Sequence, residues 1–401
     1  MDTKQASSTT SHGTQSTESS DLLVGQDSEE TPTLSVIMPT LNEEGGIAEC
    51  IEMVKRGINE IGVTTEIIIS DSSTDRTPEI AREMGAIVIE PDQPGYGYAY
   101  RYAFERARGD YVAIGDADTT YDFEDLPRLL NELNESDADM VMGSRLEGEI
   151  KPGSMPKLHQ YIGNPLLTKF LNVFYGAGVS DAHSGFRVIE REAYEELELK
   201  TTGMEYASEM IMEAGARDMT IKEVPIIYHE REGDATLDSF SDGWRHVKFM
   251  LVNAPGYLFS VPAMLLTGIG LLVMLLAYTG ITINGVHVGL HSMIAGSLLA
   301  ITGYQVGSLG VFATVAGNPI KQSRQPIMGW ILKQLRLEHA ATLGVLLFAG
   351  GAAYATFLVV QWVSSGFVEL PLLMDDILAL TAIVLGVQTV FSAFFMSTIA
   401  E

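Results

Sequence analysis

The chain has 401 residues and a formal net charge of −27. The charge is lopsided: residues 1–255 carry 47 acidic and 21 basic side chains, whereas residues 256–401 carry 5 and 4, an acidic soluble part followed by a part with the composition of a membrane domain. The lack of a basic face excludes a nucleic-acid partner, and a single cysteine, Cys50, excludes an intramolecular disulfide.

Residues 1–32 are mostly Ser, Thr, Gly, Gln and acids. They bury too little apolar surface to offset ordering, which predicts a disordered polar tail. Residues 1–20 also lack the apolar core of a secretory signal. From Leu34 the pattern alternates. Short apolar runs at Leu34–Pro39, Glu66–Ser70, Ala86–Glu90, Tyr111–Ile114 and Ala138–Met142 read as strands. Helical spacing covers Glu44–Ile61, Pro78–Met84, 97–108 and 123–135. Continuous apolar strands alternating with helices predict an α/β domain with a mostly parallel sheet covered on both faces. Ligands on such a sheet bind outside the carboxyl ends of the strands, where the polar clusters of this chain fall. Throughout 1–255 the acids are evenly spread, and the chain has only 10 lysines. That pattern predicts adaptation to concentrated salt, which screens the self-repulsion.

Ser241–Ala254 combines Trp244, Phe249, Met250 and Leu251 with Arg245, His246 and Lys248, which predicts an amphipathic helix (241–255) lying against membrane lipids. Residues 256–401 then hold four apolar stretches, roughly 257–283, 290–315, 341–363 and 376–398, each long enough to cross a hydrocarbon core. Loop 316–340 carries Lys321, Arg324, Lys333 and Arg336, whereas 284–289 and 364–375 carry no Lys or Arg. The positive-inside rule makes the first loop cytosolic, and with four spans both termini and the soluble domain as well.

Three polar clusters carry chemistry. Pro39-Thr40-Leu41-Asn42-Glu43-Glu44 follows the first strand, so a sharp strand exit and a polar helix start present N–H groups and carboxylates to a ligand. Asp71-Ser72-Ser73-Thr74-Asp75-Arg76-Thr77 follows the second, with Asp71 placed to accept from a base or ribose and Asp75 or Thr77 to cap the next helix. Asp116-Ala117-Asp118 ends the strand at Gly115, and two carboxylates at i and i+2 there can hold a hard divalent cation, Mg2+ or Mn2+, against a diphosphate.

In this order and spacing the clusters resemble the GT-A fold of family 2 glycosyltransferases, and within it the dolichyl-phosphate mannose and glucose synthases. Further matches are Met142-Gly143-Ser144-Arg145, Asp181-Ala182-His183-Ser184-Gly185-Phe186-Arg187, Gly203–Glu209, and Glu223-Val224-Pro225-Ile226 with Arg231. The resemblance covers 34–240, within a GT-A domain at 33–240, and leaves out the all-α tail of four helices at 256–401. With the acidic composition it implies a haloarchaeal source. It implies that Pro39, Glu43, Asp71, Asp116 and Asp118 bind a nucleotide-sugar donor, with Asp116 and Asp118 on the metal. Arg145, Arg187 and Arg231 are then expected around donor and acceptor phosphates, since a guanidinium fork binds phosphate bidentately, and Asp118, Arg145, Arg187, Glu209 and Arg231 form the catalytic set. Thr120 stands where many synthases have a Gln metal ligand, and Ala235-Thr236-Leu237 where they have Ser-Lys-Leu. Lys157, His159 and His229 are replacement groups for phosphate, and Pro156–Phe174 resembles the acceptor loop that lies along the membrane in these synthases.

The implied reaction is an inverting displacement in which the phosphate oxygen of a polyprenyl (dolichyl) lipid attacks the anomeric carbon and a nucleoside diphosphate leaves. Glu205 and Glu209 are base candidates only for a hydroxyl acceptor. The rival readings are transfer to a lipid-linked oligosaccharide, a processive polysaccharide synthase, which the absence of an Arg-Trp pair disfavours, and a non-catalytic membrane scaffold.

Overall fold

The computed structural model describes residues 22–232, 244, 248–250, 253, 255–283, 286–316, 337–368 and 372–400. The chain divides into two units, one ending at Val247 and the other starting at Lys248.

The first unit is built on a seven-stranded sheet. In chain order the strands are β1 (Leu34–Thr40), β2 (Thr65–Asp71), β3 (Ile87–Ile89), β4 (Tyr111–Ile114), β5 (Met140–Ile150), β6 (Arg187–Glu190) and β7 (Ile221–Tyr228). Their spatial order is β3-β2-β1-β4-β6-β5-β7. The chain winds outward from β1 to β3 and then returns to place β4 on the other side of β1. Their ladder runs only from Leu34 opposite Tyr111 to Ile37 opposite Ile114. Beyond it the two strands part, and Pro39, which has no N–H to give a neighbour, sits in β1 where the ladder has ended. This is the switch point of an open α/β sheet, and it fixes where a ligand binds.

Helix α1 (Ile47–Ile61) follows the exit of β1. Ile47, Ile51, Val54 and Ile58 recur on one face and are fully buried, contributing about 2 kcal/mol each. The helix stops at Gly62, whose φ of 71° lets its N–H reach the Ile58 carbonyl at 2.8 Å. Cys50 packs on the same face, and burial pushes its thiol up to about 12, so it is an inert core residue. The remaining helices of the unit are α2 (Thr77–Glu83), α3 (Tyr96–Phe104), α4 (Leu126–Glu135), α5 (Asn164–Tyr175, preceded by a π-turn at His159–Gly163), α6 (Arg191–Leu197) and α7 (Tyr206–Ala216).

Two expectations need correction. The polar tail was expected to run through residue 32, but Leu22–Val24 is an apolar triplet within it and pairs with the sheet. Leu23 bridges Thr65, the Val24 N–H donates to the Thr65 carbonyl at 2.8 Å, and Val24 is buried. Residues 1–21 lie outside the described residues, as does most of the expected surface helix at 241–255, where Trp244 is helical and exposed. Second, Arg187, expected at a phosphate, opens β6 with no exposed surface. Its Nε, Nη1 and Nη2 donate to the carbonyls of Ser184, Ala207 and Ala182 at 3.0, 3.1 and 3.1 Å. A buried guanidinium with all three of its nitrogens bonded to backbone carbonyls holds the 182–186 turn against α7 instead of meeting a ligand. The sheet itself is mostly parallel, as expected, with β6 inserted antiparallel between β4 and β5.

Among the described residues the second unit has four helices long and apolar enough to span a membrane: α8 (Pro255–Tyr278), α9 (Leu290–Ala316), α10 (Leu337–Ser364) and α11 (Leu373–Ala400). They match the four expected stretches. Residues Thr282–Ile283 and Val286–His287 pair as a short antiparallel link between α8 and α9. The helices meet through small residues: a Cβ at Gly296 would lie 2.8 Å from the Gly270 carbonyl, and one at Gly351 2.9 Å from the Ala379 carbonyl. Hydroxyls join α9 to α11, Ser297 to Thr381 at 2.7 Å and Tyr304 to Thr389 at 2.8 Å, each contributing about 0.6 kcal/mol.

Two outcomes follow for stability. Arg187→Lys keeps the charge but cannot reach three carbonyls, so it should cost about 3 kcal/mol, or roughly 10 °C in the melting temperature of the first unit. An unchanged melting curve would return Arg187 to the ligand-binding set. The dispersed acidity should make the same unit salt-dependent, because repulsion reaches ~30 Å at 0.01 M salt and ~3 Å at 1 M. Equal melting temperatures at the two salt concentrations would refute the salt-adaptation reading.

Candidate active site

The β1–α1 and β2–α2 loops are stitched into one floor. Thr40 Oγ1 donates to Asp71 Oδ1 at 2.7 Å across the two strand ends, and both side chains are buried. Asn42, at φ 59°, accepts from the Thr74 N–H at 2.8 Å, while its own N–H donates to Ser73 Oγ at 2.7 Å. Thr77 Oγ1 accepts from the Glu43 N–H at 2.9 Å, and Asp75 Oδ1 accepts from the Thr77 N–H at 3.0 Å. Asp75 therefore takes up the first N–H of α2, whose N-cap position is Arg76, and Thr77 at the helix start also fixes Glu43.

The Asp116-Ala117-Asp118 turn leaves β4 beside this floor. Asp118 Oδ1 accepts from Thr120 N–H at 3.2 Å and from Thr120 Oγ1 at 2.5 Å. Thr120, in the position expected for a metal-binding Gln, thus caps the Asp118 carboxylate. Thr119 adopts φ 62°, a strained value for a β-branched residue. Its hydroxyl donates to the Asp118 carbonyl at 2.7 Å and accepts from the Glu232 N–H at 3.3 Å. The His229 N–H donates to the Thr120 carbonyl at 2.9 Å. The chain leaving β7 is thereby laid over the turn and brings Arg231 into it. Arg231 Nη2 donates to Glu43 Oε1, and Arg231 Nε lies 3.5 Å from Asp118 Oδ2. Four sequence-predicted residues, Glu43, Asp116, Asp118 and Arg231, are brought together.

The carboxylates remain short of positive charge. Burial, together with repulsion from Asp118 and Asp116, raises Glu43 to about 7 against the pull of Arg231. Burial and then the Asp118 charge raise Asp116 to about 6, although Tyr96, Arg145 and Arg231 oppose the shift. Asp116 Oδ1 accepts from the Tyr96 hydroxyl at 2.8 Å. Asp116 Oδ2 lies against Gly185, where a Cβ would stand 3.0 Å away. The Oδ2 atoms of Asp116 and Asp118 are thus the oxygens not taken by Tyr96 or Thr120. No group of three His, Cys, Asp or Glu forms a metal cage among the described residues. Two hard oxygen donors in an under-neutralised cluster suit a divalent ion whose other positions are filled by phosphate oxygens and water.

Arg145 stands at the start of the bulge where β5 slips against β7 between Ser144 and Glu149. Its Nε and Nη2 make a bidentate pair with Asp181 at 2.7 and 2.9 Å, and its guanidinium lies 5.1 Å from the Tyr228 ring centre. Asp181 is fully buried, and the Arg145 charge holds its carboxyl below the usual range despite the desolvation. Glu223 accepts from the Ser180 and Asp181 N–H groups at 2.6 and 3.0 Å and so fixes that partner.

The remaining predicted residues fall apart from this cluster or serve it indirectly. Glu209 is buried, accepting from Lys200 N–H at 3.0 Å and from Thr201 N–H and Oγ1 at 2.9 and 2.6 Å. Those bonds fix a loop and leave it unsuited to act as a base. Lys157 is exposed and His159 half-buried at the π-turn. There Leu158, Tyr161, Ile162 and Leu166 are all exposed. Sequence reasoning missed Tyr96 and Asp181. Asp181 lay in a matched motif and its pairing was the available signal. Tyr96 lies between two glycines in a tyrosine-rich run, a pattern indistinguishable from core packing.

Residues 35–198 match the model of glycosyl transferase family 2, and residues 311–400 match that of the glycosyltransferase family 2 C-terminal transmembrane region. A low-salt glycan biosynthesis hexosyltransferase, Agl6, of Haloferax volcanii is 58% identical over 381 residues, 95% of this chain and 92% of the relative. A dolichyl-phosphate hexose transferase of the same organism is 36% identical over 211 residues, 52% of this chain and 89% of the relative. A solved structure of glucosyl-3-phosphoglycerate synthase from Mycobacterium tuberculosis, in complex with Mn2+, uridine diphosphate and glucosyl-3-phosphoglycerate, aligns at TM-score 0.45 and 24% identity over 55% of this chain and 79% of that one. With both parts of the chain matched and a relative of this identity along nearly its whole length, the protein belongs to glycosyltransferase family 2.

Proposed function

We propose that this glycosyltransferase moves a hexose from a nucleotide sugar to a polyprenyl (dolichyl) phosphate at the cytosolic face of the membrane, with inversion at the anomeric carbon. The observation that carries the reading is the convergence of Glu43, Asp116, Asp118 and Arg231 where β1 and β4 part. The Haloferax relatives, named for hexose transfer in glycan biosynthesis and for a dolichyl-phosphate acceptor, support the choice of substrate class. The four basic residues of loop 316–340 support the cytosolic orientation.

The donor's nucleoside lies over Pro39, Glu43 and Asp71. Asp116 and Asp118 would hold Mg2+ or Mn2+, which would supply positive charge to neutralise the departing diphosphate. Arg231, on the segment laid over the metal turn, and Arg145, pre-oriented by Asp181, supply fixed positive charge for donor and acceptor phosphates. Lys157 and His159 sit on the exposed apolar face of the π-turn and α5, which suits contact with the lipid near its headgroup. A lipid phosphate arrives as an anion, so its oxygen attacks the anomeric carbon without a proton being removed, and the nucleoside diphosphate leaves from the opposite face. Glu209, engaged by three donors, is not free to act as a base, which supports a phosphate nucleophile over a hydroxyl.

The name of the 58% identical relative specifies glycan biosynthesis and no acceptor, so transfer to a sugar on a lipid-linked glycan is the rival to test. The two separate on product analysis. With short polyprenyl phosphates and a panel of nucleotide sugars, the expected product is a lipid carrying one sugar that does not lengthen, and the matching free alcohol is no substrate. Glycosylation of the alcohol, or of a glycosylated lipid but not the bare phosphate, would overturn the first reading. Asp118→Ala should abolish transfer while the first unit still melts cooperatively, since the cation loses a carboxylate and the fold loses the Thr120 bonds and the Arg231 pair but no core packing. Undiminished transfer by this variant in the presence of EDTA would remove the metal from the mechanism.

A further inference from the structure

Tyr96 has no assigned part in transfer, yet its hydroxyl is the group that holds Asp116. Everything around it restricts where that hydroxyl can be. Gly95, at φ 134°, and Gly97 flank it. A side chain at Gly95 would strike the Thr202 carbonyl, and a Cβ at Gly97 would stand 2.9 Å from the carbonyls of both Thr201 and Gly203. The Tyr98 N–H donates to the Thr202 carbonyl at 3.1 Å. The start of α3 is therefore seated directly on loop 200–203. That loop is in turn fixed by Glu209 through Lys200 and Thr201.

The ring of Tyr96 is held as well. It meets Tyr100 edge-on at 5.1 Å, and Tyr100 stacks on Tyr206 of α7 at 5.2 Å and 5°. The Tyr206 hydroxyl bonds that of Tyr194 at 2.8 Å. A rigid aromatic column thus runs from α7 to the carboxylate. The Tyr96 hydroxyl, at the end of this column, donates to Asp116 Oδ1 at 2.8 Å.

We propose that Tyr96 is a positioning residue: it fixes Asp116 Oδ1 and thereby presents Oδ2 to the metal–diphosphate end of the donor, with Glu209 acting on Asp116 through loop 200–203 and Tyr96. The proposal rests on the assignment of Asp116 as a metal ligand in the preceding section. It accounts for a buried Glu209 in a family motif without giving it contact with substrate. It also accounts for a tyrosine between two glycines: the glycines allow backbone contact with the loop, and that contact aims the side chain.

Tyr96→Phe removes the hydroxyl and leaves the ring on Tyr100. With Mn2+ alone titrated against the full-length protein in high salt, and free Mn2+ read by electron paramagnetic resonance, the dissociation constant should rise about tenfold, the scale of one hydrogen bond to a charged group. The Mn2+ concentration for half-maximal transfer should rise in parallel, with the maximal rate recovered at saturating Mn2+ and the melting temperature unchanged. Glu209→Gln should weaken Mn2+ binding in the same direction with Tyr96 intact. In an Asp116→Asn background, Tyr96→Phe should add nothing further, because the hydroxyl acts through that carboxylate. Equal Mn2+ affinity in wild type and Tyr96→Phe, or a full additional loss in the Asp116→Asn background, overturns the positioning role. Failure of the wild type to bind Mn2+ at all sinks the metal assignment itself.

Discussion

Glu43, Asp116 and Asp118 converge on one crevice, and like charges gathered in a partly buried space repel. Burial and mutual repulsion push Glu43 and Asp116 well above ordinary carboxyl values, even with Arg231 between Glu43 and Asp118. Much of the first unit is arranged to hold that cluster in place. The parting of β1 and β4 opens the space. Thr40 and Thr77 tie down the floor, Thr120 caps one carboxylate, and a strained Thr119 turns the chain so that Asp116 and Asp118 can both face inward. The segment after β7 crosses the turn and brings in the compensating arginine. The strain and the repulsion are offset by the buried sheet and by α1.

The alternating strands and helices of residues 34–135 were legible because parallel strands buried on both faces read as continuous apolar runs. The four apolar helices were legible for the analogous reason, that a hydrocarbon environment demands an unbroken stretch. The antiparallel β6 was not legible. Four residues, Arg187–Glu190, begin with a charged side chain, and only tertiary partners make that arginine a core residue. The triplet Leu22–Val24 was hidden in a polar segment, where a short apolar run carries no period.

The candidate site divides along a similar line. Residues at the ends of strands were legible, because position on the sheet and residue type together specify them: Glu43, Asp71, Asp116 and Asp118. Residues acting at second hand were not. Arg187 and Glu209 occupy matched motifs, yet their donors and acceptors go to backbone. A motif records that a residue type matters at a place, and it does not record whether the side chain meets a ligand or holds a loop. Asp181 shows the complement: its partner Arg145 was named from sequence, but the bidentate pair that orients it exists only in three dimensions.

The close helix contacts of the second unit, such as those at Gly296 and Gly351, depend on van der Waals packing in lipid and carry almost no charge. Ionic strength has little hold on them. On the salt-adaptation reading, the acidic first unit responds to ionic strength through its own surface. Dilution therefore acts on one half of a single chain and spares the other, so the protein stays with the membrane whether or not its catalytic half is folded. Recovery in a membrane fraction is evidence of an intact anchor alone, and the two halves need separate reporters of their integrity.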